Sequence, residues 1–186
     1  KKQKKNKKYP WIAVLSNGKQ NKRIKVVKQY SFGEYISKHG CSIAAIVEAL
    51  EIYGINKSPY EINKYCRSHY KFNGSKVAIH GAYKTVKAIS KKKPAYHDVK
   101  QNNKANIRKI IKESLKEGKK VVIEQKNPIH TYVALGFALS GKIVIATSGQ
   151  LKEVSLAWIM KTINTGDGSK ADYFKGSKAD AGIFII

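Results

Sequence analysis

The sequence predicts an α+β fold in which a helical first half packs on an antiparallel sheet formed by the second half. Apolar residues recur at helical spacing from residue 41 to residue 115, and short apolar runs at strand spacing follow. Tight-turn residues separate some of those runs, as between consecutive antiparallel strands. The 186 residues suffice for one compact domain, and no proline- or serine-rich segment divides them.

The first predicted helix begins at Cys41 and ends before Gly54, which is expected to adopt a left-handed conformation. At a helix start, unpaired N–H groups and the positive end of the helix dipole favour a thiolate. Two interpretations of Cys41 therefore stay open: a nucleophile, or a small buried residue that packs the helix start. The apolar face of this helix is formed by Ile43, Ile46, Val47, Leu50 and Tyr53.

Three further helices are predicted. Ser58, Pro59 and Glu61 form a capping-box signal, so the second helix covers residues 59–69. It includes Cys66, which shares a face with apolar residues and is interpreted as part of the core. The third covers 77–89, and a loop is expected over 91–104. The fourth opens at residue 105 or 106, ends before Gly118, and has the apolar residues Ile107, Ile110, Ile111 and Leu115.

The second half predicts an antiparallel meander, because its apolar runs have strand length. Ser140 and Gly141 form a tight turn between two of these strands, and a short helix follows Ser155. The near-copies at 168–172 and 176–180 are too short for a repeat domain and are interpreted as loop. The predicted strands cover residues 121–125, 131–138, 142–146 and 182–186.

The N-terminal region begins with a block of lysines. Residues 1–8 repel one another, so a disordered basic tail is expected, followed by a single domain over 9–186. Within that domain, Asn17 and Gly18 are typical of a tight hairpin, which is predicted between short strands at 11–15 and 24–27.

The net charge is +25 and comes almost entirely from lysine. Lysine is a point charge and not the planar fork that reads bases, and no nucleic-acid-binding motif is visible, so specific nucleic-acid binding is not expected. Anionic cell-wall or membrane polymers are the expected nonspecific partners. Cys41 and Cys66 have no metal-ligand spacing, so neither a metal nor another cofactor is predicted. No apolar run is long enough to span a bilayer.

A helical half led by a cysteine, followed by a sheet whose strand begins with a histidine, is the arrangement of papain-type nucleophiles. His130 begins such a strand. In this chemistry the thiolate attacks a carbonyl carbon and the imidazolium protonates the leaving amine.

Several segments together resemble the bacteriocin-processing peptidases, cysteine peptidase family thirty-nine, and especially their stand-alone relatives in Gram-positive bacteria. The resemblance covers residues 29–186. It implies a papain-like fold, Cys41 as nucleophile, His130 as its partner, a peptide or protein substrate, and a monomeric protein outside the cell or on its surface. The segments that carry it are 40–47, 53–54, 58–62, 121–123, 130–136 and 143–145.

Three positions depart from the family pattern. Ser42 replaces a glycine, and Glu34 or Tyr35 stands where a glutamine usually donates to the oxyanion. Thr147 is the nearest match to the aspartate or asparagine that orients the histidine. A threonine hydroxyl orients an imidazole without stabilising its positive charge. The prediction is therefore a slow Cys-His peptidase, with a catalytically inactive module that binds peptides or surface polymers as the alternative.

The remaining polar candidates have weaker support. His39 adjoins the nucleophile in the sequence, and Asn127 or Gln150 would substitute as orienting residues by folding back. No role is assigned to the other histidines, which are His69, His80 and His97.

Overall fold

A six-stranded antiparallel sheet with helices on both faces forms the centre of the molecule. The computed structural model describes residues 40–69, 79–100, 103–126, 130–147, 149–165 and 181–186. The basic tail, the N-terminal hairpin and the near-copies at 168–180 lie outside the described residues. The described helices are α1 (Cys41–Ile52), α2 (Pro59–His69), α3 (Ile79–Ser90), α4 (Lys104–Lys116) and α5 (Leu156–Thr162).

The strands follow the spatial order β1-β6-β2-β3-β4-β5, and every neighbouring pair is antiparallel. Strands β2 to β5 form a meander, of which the sequence predicts β2, β3 and β4, and β6 inserts between β1 and β2. The strands are β1 (Ala95–Asp98), β2 (Val121–Gln125), β3 (His130–Phe137), β4 (Ile143–Thr147), β5 (Gln150–Val154) and β6 (Gly182–Ile185).

Each face of the sheet buries its own core. Alternate residues of the strands point to opposite faces, so Val122 and Val133 pack under α1, α2 and α3. Their neighbours Ile123 and Tyr132 pack under α4 and α5 on the other face. The mixed α+β fold agrees with the predicted papain-like architecture, in which the cysteine helix packs on an antiparallel sheet.

The helix ends confirm two local predictions. Ser58 and Glu61 form the capping box, since the N–H of Ser58 donates to Glu61 at 2.7 Å and the N–H of Glu61 donates to the Ser58 hydroxyl at 3.2 Å. Gly54 has φ of +81°. Its N–H donates to the Glu51 carbonyl, and the N–H of Ile55 donates to the Leu50 carbonyl, so a Schellman motif ends α1.

Two strands fall where the sequence predicts none. The loop expected over 91–104 contains β1, an edge strand whose partner β6 is remote in the chain, so local pattern does not reveal the pairing. Strand β5 has one buried residue, Val154, and pairs with β4 through a two-residue turn that contains Gly149 at φ +78°. Ser148 and Gly149 were the available turn signal.

Helix α1 is more completely buried than a one-sided apolar pattern predicts. All residues from Cys41 to Leu50 are buried, because α2, α3 and β3 surround this part of the helix. The start of α1 is thereby fixed against the sheet. Among the described helices, none has the length and apolar character needed to cross a membrane.

Candidate active site

Cys41 is the first residue of α1, as predicted. The N–H of Ala44 donates to the Gly40 carbonyl at 2.8 Å and closes the first turn. Gly40 has no side chain to accept from the N–H groups at the helix start, and no side-chain cap is present. The Cys41 residue is 5% exposed. The sulfur therefore belongs to the positive end of the helix, in a largely desolvated position.

The predicted histidine and its predicted orienting residue are in direct contact. His130 is the first residue of β3 and Thr147 is the last residue of the neighbouring strand β4. The imidazole Nε2 lies 2.6 Å from the Thr147 hydroxyl oxygen. Which atom donates depends on the tautomer of the imidazole. In either case the hydrogen bond fixes the orientation of the half-buried ring at this end of the sheet.

A second contact brings the cysteine and histidine segments together. The hydroxyls of Ser42 and Thr131 are 3.3 Å apart and buried. Each belongs to the residue that follows a candidate catalytic residue, and consecutive Cα atoms are only about 3.8 Å apart. The start of α1 therefore meets the start of β3, as the Cys-His hypothesis requires of the backbone.

The side chains of His130 and Thr131 leave β3 on opposite faces, because successive strand residues alternate. Thr131 points towards α1, where it contacts Ser42. The His130 ring is on the side of Tyr132, whose ring centroid is 6.5 Å away. Contact between the Cys41 thiol and this imidazole would therefore have to be made around the start of β3, and not across the face of the sheet.

An aromatic layer behind His130 was not singled out from the sequence. The rings of Tyr132 and Trp158 are 6.2 Å apart, and Tyr132 is 1% exposed. Its hydroxyl has no hydrogen-bond partner among the described residues, and burial raises the pKa of that hydroxyl. The layer forms one wall beside His130. Its signal in the sequence was the aromatic residue two positions after His130, on the same strand face.

Cys66 is part of the core, as the sequence predicts. It is 0% exposed, and its sulfur lies 3.8 Å from the Thr85 hydroxyl. Burial raises the pKa of the Cys66 thiol to about 11. Because a neutral thiol is a poor nucleophile, Cys66 is expected to be unreactive at neutral pH. Both cysteines are free thiols, so they form no disulfide with each other.

Glu124 is a buried carboxylate near the candidate site. It is directly opposite Thr131 in the pairing of β2 with β3. Its oxygens accept from the N–H of Ile79 at 3.2 Å and from the side-chain amide of Asn164 at 3.0 Å. These bonds attach the start of α3 and the chain after α5 to β2, so the carboxylate has a structural role here.

The other histidines and orienting candidates take different positions. The ring of His69 stacks on that of Tyr65, with the ring centroids 3.8 Å apart, and the ring centroids of His80 and Tyr96 are 4.9 Å apart. His97 is in β1. Gln150 is paired with Thr147 in the sheet. His39, Asn127 and the glutamine-equivalent positions Glu34 and Tyr35 lie outside the described residues. Within the described ranges, no group of three His, Cys, Asp or Glu residues is placed to hold a metal ion.

A family model matches most of the chain. The family model described as Peptidase_C39 like family matches residues 21–155, which is more than half of the chain. The matched range includes Cys41, His130 and Thr147. Comparison with the curated proteins finds no match.

Proposed function

Because the chain belongs to the Peptidase_C39 like family, we propose that it is a cysteine peptidase in which Cys41 is the nucleophile and His130 transfers the proton. The observation that carries this proposal is the hydrogen bond between His130 and Thr147 at the end of β3. It fixes the imidazole of His130 next to Thr131, the strand residue that Ser42 of the cysteine helix contacts. The substrate class is a peptide or a protein.

The proposed reaction divides the work between the helix start and the imidazole. Nε2 of His130 is engaged by Thr147, so proton exchange with the Cys41 thiol falls to Nδ1. The thiolate attacks the peptide carbonyl carbon, and the backbone N–H groups at the start of α1 stabilise the resulting oxyanion. The C–N bond then breaks as the imidazolium protonates the leaving amine, and water hydrolyses the thioester.

Thr147 lowers the rate that this site is expected to reach. Its hydroxyl orients the imidazole but carries no negative charge to stabilise the imidazolium. Replacing the charged partner by a neutral one in a serine triad costs about 10⁴ in kcat. A cysteine-histidine pair depends less on that partner, because the thiol ionises more readily. The expected enzyme is slow, and the second candidate function is a peptide-binding module without catalysis.

The test is hydrolysis of a mixed peptide library, followed by mass spectrometry. Wild-type protein is compared with Cys41→Ala and with Cys66→Ala, a matched control that removes the buried thiol of α2. Cleavage that is lost in Cys41→Ala and kept in Cys66→Ala supports the proposal. Cleavage that survives Cys41→Ala contradicts it. Peptide retention without cleavage, equal in wild type and Cys41→Ala, favours the binding module.

We also propose that the protein works outside the cell or on its surface. The charge of +25 supports this location, because a strongly basic surface binds anionic envelope polymers. Fractionation of the producing cells, with the protein followed by antibody, tests it. Recovery from the cytosolic fraction alone contradicts the proposal.

A further inference from the structure

A line of cations runs along α4 on the sheet face opposite α1. Lys104, Arg108, Lys112 and Lys116 follow one another at four-residue intervals. Residues four apart on a helix lie about 6 Å apart along its axis, so the line extends for about 18 Å. The last three are exposed and Lys104 is half-buried. These four residues are called the α4 cation row below.

The α4 cation row is held in place by the packing of its helix. The apolar face of α4 is buried against the sheet, which fixes the rotation of the helix about its axis and leaves the charged face towards solvent. The residues of this apolar face are Ile107, Ile111 and Leu115. A Schellman motif at Gly118, with φ of +79°, fixes the C-terminal end. The backbone positions of the four row residues are therefore fixed relative to one another, while each charge is carried at the end of its own side chain.

These charges are available to a ligand. Among the described residues, the ion pairs of this region join Lys109 to Glu113 and Lys119 to Glu117. None of the four row cations takes part in an ion pair with a described carboxylate. Their spacing of about 6 Å is shorter than the Debye length of about 8 Å at physiological ionic strength, so the charges act together on an approaching anion.

The row is only one residue wide, which limits the shape of its partner. The next line of the helix contains Lys109, Glu113 and Glu117, and thus two carboxylates for one cation. A flat anionic bilayer would face those carboxylates as well as the row. A thin chain of regularly spaced anions lying along α4 would contact the row alone.

The chemistry of α4 also bears on the type of polymer. Proteins that bind single-stranded nucleic acids combine positive charge with aromatic side chains on which bases stack. Helix α4 contains no aromatic residue. Lysine, which supplies three of the four charges, neutralises phosphates without reading bases. We propose that the α4 cation row binds a linear phosphodiester polymer without bases, independently of the peptidase chemistry.

The experiment uses synthetic poly(glycerol phosphate) as the probe and the full chain as the protein. One variant changes Lys104, Arg108, Lys112 and Lys116 to Gln. A control variant changes Lys64, Lys84, Lys92 and Lys93 to Gln, all exposed residues on other segments. Both variants lose four positive charges, and glutamine is compatible with a helix.

The row variant is expected to bind the probe at least tenfold more weakly than the control variant at about 50 mM salt, since multiple phosphate contacts dominate at low salt. The slope of log K against log salt should fall by roughly 3, at about 0.7 for each neutralised charge on a single strand. Binding to phosphatidylglycerol vesicles should weaken equally in the two variants, and the loss specific to the row variant should be no larger for single-stranded poly(dT) than for poly(glycerol phosphate). An equal loss of affinity for poly(glycerol phosphate) in the row variant and the control variant would overturn the proposal. So would a larger loss for poly(dT) or vesicles than for the probe.

Discussion

The imidazole Nε2 of His130 and the hydroxyl oxygen of Thr147 lie 2.6 Å apart, across two neighbouring strands of the sheet. The threonine thus holds the position from which a carboxylate would both orient the ring and stabilise its positive charge. Thr147 thus supplies the orienting hydrogen bond, but not the negative charge that would stabilise the imidazolium. This separation of two effects makes the site open to a gain-of-function test.

Thr147→Asp is expected to raise the rate of peptide hydrolysis about tenfold, which is about 1.4 kcal/mol of barrier. The added carboxylate stabilises the imidazolium, and Thr147→Asn, which supplies another neutral orienting partner, should give a smaller gain. Thr147→Val, which removes the hydroxyl but keeps the shape, should lower the rate. Initial rates on one peptide measure all three, with Cys41→Ala as the inactive reference. A correctly folded Thr147→Asp that is no faster than wild type would place the orienting residue elsewhere.

The two cysteines should differ strongly in alkylation. We expect iodoacetamide at about pH 6.5 to label Cys41 well before Cys66, because Cys41 is the first residue of α1, at the positive end of the helix dipole, whereas Cys66 is 0% exposed in the core. Burial raises the pKa of the Cys66 thiol to about 11, so this thiol stays neutral. Mass spectrometry after limited labelling measures both sites. In urea the difference should vanish, which controls for local sequence effects. Labelling of Cys66 first in the folded protein would refute the assignment of Cys41.

Tyr132 offers a test of packing beside His130. Its hydroxyl is buried and has no hydrogen-bond partner in the part of the chain that the structure describes; an unsatisfied buried hydroxyl costs about 1–3 kcal/mol. Tyr132→Phe should therefore leave the free energy of unfolding unchanged or raise it by about 1 kcal/mol. Tyr132→Leu removes the ring contacts to His130 and Trp158 and should be destabilising. Urea denaturation measures both variants, and a marked loss of stability in Tyr132→Phe would show that the hydroxyl is bonded.

Local features were predictable from the sequence because their causes are local. The capping box of Ser58 and Glu61 and the left-handed Gly54 depend on residues within one turn of the helix. Strand β1 was not predictable in this way, because four largely polar residues become a strand only through pairing with the distant β6.

In the candidate site, too, some features were predictable from the sequence and others depended on contacts between distant segments. The resemblance to a family selected His130 and Thr147, which the structure joins. The contact between Ser42 and Thr131 depends on the register of β3 and on the docking of α1, neither of which a sequence pattern specifies. The face on which His130 emerges follows from that register as well. Residue types thus suggested the chemistry, whereas the meeting of the start of α1 with the start of β3 required the fold.

Lys120 is 1% exposed and donates from Nζ to the Gly118 carbonyl. Burial lowers the pKa of this amine from 10.5 to about 8. Between these values the unfolded state binds more protons than the folded state, so the contribution of Lys120 to stability rises with pH. Below pH 8 the buried charge is a standing cost. Lys120→Met should therefore be more stable than wild type at neutral pH.

The stability advantage of Lys120→Met should shrink as pH rises from about 8 to 10.5, because over this range Lys120 is neutral in the folded wild type and still protonated in the unfolded state. The difference between the two proteins is the quantity to follow, since the other lysines and tyrosines titrate in both. Urea denaturation at a series of pH values measures it, with the exposed Lys142→Met as a control that should show no such trend. If the difference in the free energy of unfolding between Lys120→Met and wild type did not change with pH, the pKa of Lys120 would be the same in the folded and unfolded states. Its amine would then be solvated in the folded protein.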